Sequence, residues 1–238
     1  MFIKKLLPVL AGSGLLLGAA VAGAEISGNV AMTTDYKFRG ISQSDESPAI
    51  QGGFDYEDES GFYIGTWGSS VDFDSNDGFD GSLELDVYLG FGGSFGDSGL
   101  GYDIGFIYYD YPGDDGAEGD YAEIYGSLSV GDFSLGLAYS DDYYGETGKF
   151  YYVSGDYEFA LPEDFALGLH VGFNSFDEAP GFLSSDEDKY YDYSISISKS
   201  LGGVDLSLAY VGTDLDEEDV FDTTWGDAEF IFTISKSL

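Results

Sequence analysis

The chain has 238 residues, 45 acidic against 8 basic, and a formal net charge of −37. A polyanion of this kind does not bind nucleic acid by neutralising phosphates. With no cysteine and one histidine, a disulfide scaffold, a thiolate metal site, a Cys nucleophile and a multi-histidine centre are excluded. An aromatic content of 17% is too rich for a disordered chain.

Residues 1–24 read as a secretory signal peptide. Lys4 and Lys5 give the positive start, Leu6 to Val21 the apolar stretch, and Ala22-Gly23-Ala24 an A-x-A cleavage site. Pro8, Gly12, Ser13, Gly14 and Gly18 break the stretch and argue against a transmembrane anchor. Residues 25–238 are then one exported unit.

That unit carries one pattern throughout. No later stretch has 18 consecutive apolar residues. Glycine is spread along the chain, and each one inside a helix costs about 1 kcal/mol. Alternation with a period of two is strong instead. Leu83, Leu85, Val87, Leu89 and Phe91 alternate with Glu84, Asp86, Tyr88, Gly90 and Gly92. Phe165, Leu167, Leu169, Val171 and Phe173 alternate with Ala166, Gly168, His170, Gly172 and Asn174. The spacing predicts twelve strands, near 28–38, 48–57, 61–71, 82–93, 100–111, 120–130, 133–142, 149–159, 165–176, 189–200, 204–213 and 227–238. Most match the roughly 9–11 tilted residues that cross a bilayer.

The connections alternate too. Short turns fall at 58–60, 95–99, 131–132, 160–164 and 201–203. Longer acidic loops fall at 40–47, 72–81, 112–119, 143–148, 177–188 and 214–226. This is the pattern of an all-β, antiparallel, up-and-down outer-membrane barrel, with short periplasmic turns and long extracellular loops. A count of 10–14 strands fits the periodicity. A soluble β-sandwich shows the same alternation, so parity alone does not separate the two. Strand length, loop asymmetry and aromatic content favour the barrel. Tyr108, Tyr109, Tyr190, Tyr191 and Tyr193, near strand ends, are expected in interfacial girdles.

The stretch Asp35-Tyr36-Lys37-Phe38-Arg39-Gly40-Ile41-Ser42-Gln43-Ser44 is distinctive. It is followed by Pro48-Ala49-Ile50-Gln51-Gly52-Gly53-Phe54-Asp55-Tyr56 and Gly61-Phe62-Tyr63-Ile64-Gly65-Thr66-Trp67. Together these resemble the N-terminal signature of the TorF family of porin-like Gram-negative outer-membrane proteins. The final Ile234-Ser235-Lys236-Ser237-Leu238 resembles that family as well, and the same five-residue sequence ends the segment at 197–201. The resemblance implies an outer-membrane barrel with a pore role, and it supplies no catalytic residues to carry over. Lys199 and Lys236 would lay their stems in lipid and reach headgroups with their ammonium groups.

If the apolar parity meets lipid, the other parity lines the lumen. It holds Lys37 and Arg39 near the first strand, then Asp55, Glu57, Glu84 and Asp86. Asp103, Glu123, Asp192, Asp205 and Glu229 follow. Only Lys37, Arg39 and His170, the last neutral by default, oppose these acids. A lumen of acids in a low-dielectric wall favours cations. Arg39 is the only arginine, and it is expected to pair with lumen acids and either constrict the pore or lock the first strand. Twelve strands lie between the filled eight-stranded barrel and the open 16–18-stranded porin, which leaves openness undecided.

The loops hold acid clusters at Asp214, Asp216, Glu217, Glu218 and Asp219, and at Asp186, Glu187 and Asp188. Asp72 to Gly78 starts like a calcium loop, but Asp77 stands where that loop needs Gly and Leu83 where it needs Glu, so it reads as a turn. No G-x-S-x-G elbow accompanies His170, and Asn174 shares its strand face, so no enzyme is expected. The expectation is an outer-membrane porin-like channel for passive diffusion of small hydrophilic solutes or cations. No cofactor or metal is implied. The partners implied are outer-membrane lipid, lipopolysaccharide and the barrel-assembly machinery, and no nucleic acid. A non-conducting structural or adhesin-type barrel is the alternative, and an outer-membrane enzyme the third reading.

Overall fold

An alternating sequence gives a strand two unlike faces, and such a strand is stable only where each face meets a matching medium. The computed structural model describes residues 25–73, 81–96, 98–114 and 118–238. Its strands are β1 (Glu25–Thr33), the short β2 (Lys37–Phe38) and β3 (Ile41–Ser42), β4 (Ala49–Glu57), β5 (Phe62–Ser70) and β6 (Leu83–Ser94). They continue with β7 (Leu100–Asp110), β8 (Tyr121–Val130), β9 (Phe133–Ser140) and β10 (Phe150–Ala160). The last four are β11 (Phe165–Phe176), β12 (Lys189–Leu201), β13 (Val204–Thr213) and β14 (Glu229–Ser237).

Among the described residues, twelve of these strands form one closed antiparallel barrel, and β2 pairs with β3 alone. Each barrel strand pairs with its neighbour along the chain, and β1 closes on β14 from Asn29↔Ser237 to Thr33↔Thr233. Closure leaves no sheet edge, which is what a sheet in hydrocarbon requires.

The direction of the alternation settles the class. Leu83, Leu85, Val87, Leu89 and Phe91 on β6 point outward and are 37–49% exposed, while Glu84 and Asp86 point inward and are 2% exposed. Ile104, Ile124, Leu137, Val171, Ile195 and Phe230 continue the exposed apolar band around the barrel. A soluble sandwich would bury these residues and expose the acids. An apolar belt of this extent needs hydrocarbon beside it. No described helix is long and apolar enough to cross a membrane, which has no bearing on a barrel.

Short turns and long connections alternate as the spacing predicts. Two expectations change. The first strand runs only to Thr33, not to residue 38, because the chain leaves the wall and turns into the lumen. The tyrosines expected in girdles divide by parity. Tyr108, Tyr191 and Tyr193 face out, whereas Tyr109 and Tyr190 are buried in the lumen at 2% and 3% exposure. The long-loop aromatics Tyr143, Phe182 and Trp225 fold inward and join the core, whereas Phe221 stays exposed: Tyr143 stacks on Phe150 at 4.2 Å, and Phe182 on Phe176 at 5.1 Å. The hydrophobic core therefore sits inside the barrel, in its long-loop half. The signal-peptide reading, and most of the calcium-like stretch at 72–78, lie outside the described residues.

Candidate functional site: the lumen and its inward hairpin

The segment from Thr34 to Pro48 connects β1 to β4 through the lumen. β2 and β3 form a two-residue hairpin with Arg39 and Gly40 at its tip, both with positive φ, 48° and 83°. A turn with two positive φ values is the tight hairpin turn that matches strand twist, and Gly adopts it without strain. The tip packs closely against β12 and β13. A Cβ on Gly40 would stand 2.5 Å from Thr213 Cγ2 and 3.0 Å from Asp192 Cβ.

Side chains hold the hairpin on all sides. Arg39 makes a two-pronged contact with Glu123 on β8, 2.7 Å and 2.8 Å from its two carboxylate oxygens. Its guanidinium lies 4.5 Å from the centres of the Phe38 and Tyr152 rings and 4.6 Å from that of Phe150. Tyr190 Oη donates to the Arg39 carbonyl at 3.0 Å. Lys37 is fully buried. Its Nζ donates to the carbonyls of Trp225 and Asp227 at 3.0 Å and 2.6 Å and lies 3.3 Å from Glu229 Oε1. Tyr36 Oη donates to Glu84 at 3.1 Å, and Asp35 accepts from Ser42 and Ser44 at 2.7 Å and 2.8 Å. Lys37 and Arg39 thus do not line the wall beside the first strand. They sit on the inserted hairpin: Lys37 turns to the start of β14, and Arg39 crosses the lumen to pair with an acid on β8, as its isolation suggests.

Below the hairpin the two sides of the lumen differ. On β4 to β8, tyrosines and acids interlock. Tyr63 Oη donates to Asp103 at 2.9 Å and lies 2.7 Å from Tyr125 Oη, and Tyr88 Oη donates to Asp55 at 2.5 Å. On β8 to β12, the facing positions are small: Ser129 opposite Ser134, Gly136 opposite Ser154, and Gly168 opposite Ser196. Small side chains leave room there. On that same side stands His170 of β11, whose Nδ1 is 2.7 Å from Asp156 and whose Nε2 is 2.8 Å from Asp192. With both carboxylates ionised, both ring nitrogens donate and the ring is a cation, which departs from the neutral default. Asn174 Nδ2 donates to the other Asp192 oxygen at 2.7 Å. Near the short-turn end, Asp205 accepts from Ser200.

All the inward acids expected from parity do turn inward, among them Asp55, Glu84, Asp86, Asp103, Glu123, Asp192 and Glu229. Parity does not reveal the aromatic clamp on Arg39. Phe150 and Tyr152 share the inward parity of β10, and only the presence of an inserted cation gives that pairing meaning. At the long-loop mouth, a cavity of about 540 Å³ is lined by Asp114, Glu118, Asp141, Asp142, Tyr143 and Glu146. Glu146 is held above the usual carboxylate range, first by its hydrogen bond to Glu118 and then by that group's charge. Among the described residues, no three His, Asp or Glu side chains converge as a metal cage.

Comparisons with known proteins agree with this architecture. The KdgM porin superposes with a TM-score of 0.56 at 8% identity, covering 89% of this chain and 97% of that one. The NanC porin gives 0.54 at 9% identity, covering 89% and 98%. An outer-membrane channel of Pseudomonas putida F1 gives 0.52 at 11% identity, covering 92% and 96%. At such identities the likeness is one of fold. No curated protein matches the sequence. The family that matches is not described under the TorF name suggested by the Asp35–Ser44 motif. Over residues 18–238, the chain belongs to the family described as "Bacterial protein of unknown function (Gcw_chp)".

Proposed function

We propose that this protein is an outer-membrane diffusion channel for small hydrophilic solutes, with a preference for cations, and that its lumen is narrowed by the Arg39 hairpin. The observation that carries the reading is the inverted barrel: an apolar belt outside, and ionisable and hydroxyl side chains inside. In this reading residues 1–24 direct export, the short turns face the periplasm and the acidic loops face outward. Solutes pass along the Ser/Gly-lined side of the lower lumen, where Asp156 on that side and Asp55 and Asp103 on the facing wall attract cations. Outer-membrane lipid and lipopolysaccharide surround the belt, and divalent cations offset the like charges of lipopolysaccharide and loops. The assembly machinery inserts the barrel. We assign the lumen no catalytic role. One similar structure is a KdgM porin in complex with oligogalacturonate. A polymer of carboxylates is the wrong cargo for a carboxylate-lined passage, so the solutes here differ.

Single-channel recording of the folded barrel in a planar bilayer, under a salt gradient, tests this. Discrete steps with a cation-selective reversal potential are expected. Anion selectivity would overturn the preference. A silent barrel that is shown to be folded would favour a second reading, a non-conducting structural barrel. That reading draws support from how completely the hairpin and loop aromatics occupy the long-loop half.

A further inference from the structure

Two buried carboxylates on β6 have no counter-charge. β6 turns Glu84 and Asp86 inward at successive positions of one face, each 2% exposed. Tyr36 Oη satisfies Glu84 Oε1, but no partner reaches Glu84 Oε2 or Asp86 Oδ1. The cations of the lumen are engaged elsewhere: Arg39 with Glu123, Lys37 with Glu229 and two carbonyls, His170 with Asp156 and Asp192. Lys149 and Lys189 are exposed beside Asp177 and Asp188, and Lys199 lies over the Phe165 ring. Among the described residues, no ion pair includes Glu84 or Asp86. An ionised carboxylate buried without donors or a counter-ion is strongly unfavourable. Protons do not resolve this well. A proton on either orphaned oxygen becomes a buried donor that lacks an acceptor.

The geometry points to a bound divalent cation of the calcium class, held by Glu84 and Asp86 behind the Arg39 hairpin. Two carboxylates match its charge, and hard oxygens are the donors it takes. Water completes the shell, since no third acid or His converges there among the described residues. The ion neutralises both side chains and its water gives the orphaned oxygens their donors. It also steadies Glu84 beneath Tyr36, and so the base of the hairpin. The site is independent of conduction, because a silent barrel would hold the ion equally well.

Trp67 provides a local reporter. It sits directly opposite Asp86 in the β5–β6 ladder, and its ring centre is 5.5 Å from that of Tyr36. The full folded barrel, stripped of metal, is titrated with radiocalcium by equilibrium dialysis at high monovalent salt, which screens the exposed loop acids. Terbium luminescence excited through tryptophan is read in parallel. Wild type should bind one more calcium per chain than the Glu84→Gln/Asp86→Asn variant, and terbium emission should fall severalfold in that variant. Trp67→Phe keeps both carboxylates. It should retain the calcium and lose most of the emission, and it decides the question should the double variant fail to fold. Equal calcium in wild type and double variant would overturn the proposal. So would undiminished emission in Trp67→Phe, or a protonated-carboxyl infrared band in calcium-loaded wild type that the double variant lacks.

Discussion

Arg39 and Glu123 form the contact on which the hairpin most depends. Both are buried, two nitrogens meet two oxygens, and three rings surround the guanidinium. Removing one partner of such a pair leaves the other charge buried alone, at a cost of about 3–5 kcal/mol. Arg39→Gln should therefore release the hairpin, raise single-channel conductance and lower the urea midpoint. Replacing both partners, Arg39→Met with Glu123→Leu, removes the stranded charge and should recover much of that stability. Unchanged conductance in Arg39→Gln, with the barrel folded, would mean that the hairpin does not set the constriction. At this scale the sequence is legible only in part. A lone arginine among acids announces a pairing. Its partner lies 84 positions away and is one of 45 acids, so nothing local distinguishes Glu123. The same holds for His170, whose two carboxylates come from different neighbouring strands.

Period-two alternation places all twelve barrel strands and nearly all their ends, because each strand separates lipid from lumen by itself. It fails at residues 34–38. Asp35, Lys37 and Arg39 continue the alternation past Thr33, although the chain has already left the wall, because the hairpin is itself extended and buried on both sides. The break is encoded in the turn, where Arg39 and Gly40 take positive φ. Gly40→Val should be the sharper test of the hairpin as an element. It adds the strain of a β-branched residue at φ 83° and a Cβ 2.5 Å from Thr213 Cγ2. It leaves every charge in place. Higher conductance with unchanged ion selectivity is expected, since the lower-lumen acids do not move. A shift in selectivity would assign that property to the hairpin instead.

The molecule as a whole is an inside-out protein, and its two faces should answer the same substitution in opposite ways. Ile195 and Ser196 are adjacent on β12. Ile195 is 48% exposed on the outer belt, and Ser196 faces the lumen opposite Gly168 and Ala209. In a bilayer, arginine at position 195 meets hydrocarbon and should cost about 2–4 kcal/mol near the midplane. Arginine at position 196 meets water and acids, with small neighbours that leave it space. Equilibrium urea unfolding into lipid vesicles should show Ile195→Arg strongly destabilised and Ser196→Arg close to wild type. The two would exchange places if the barrel were a water-soluble protein with a dry interior. Ser196→Arg also bears on transport, because it sets a fixed cation on the Ser/Gly-lined side of the lumen. Cation selectivity should fall in that variant while its stability holds. That pairing of outcomes would locate the solute path on the β8–β12 side, away from the tyrosine–carboxylate wall.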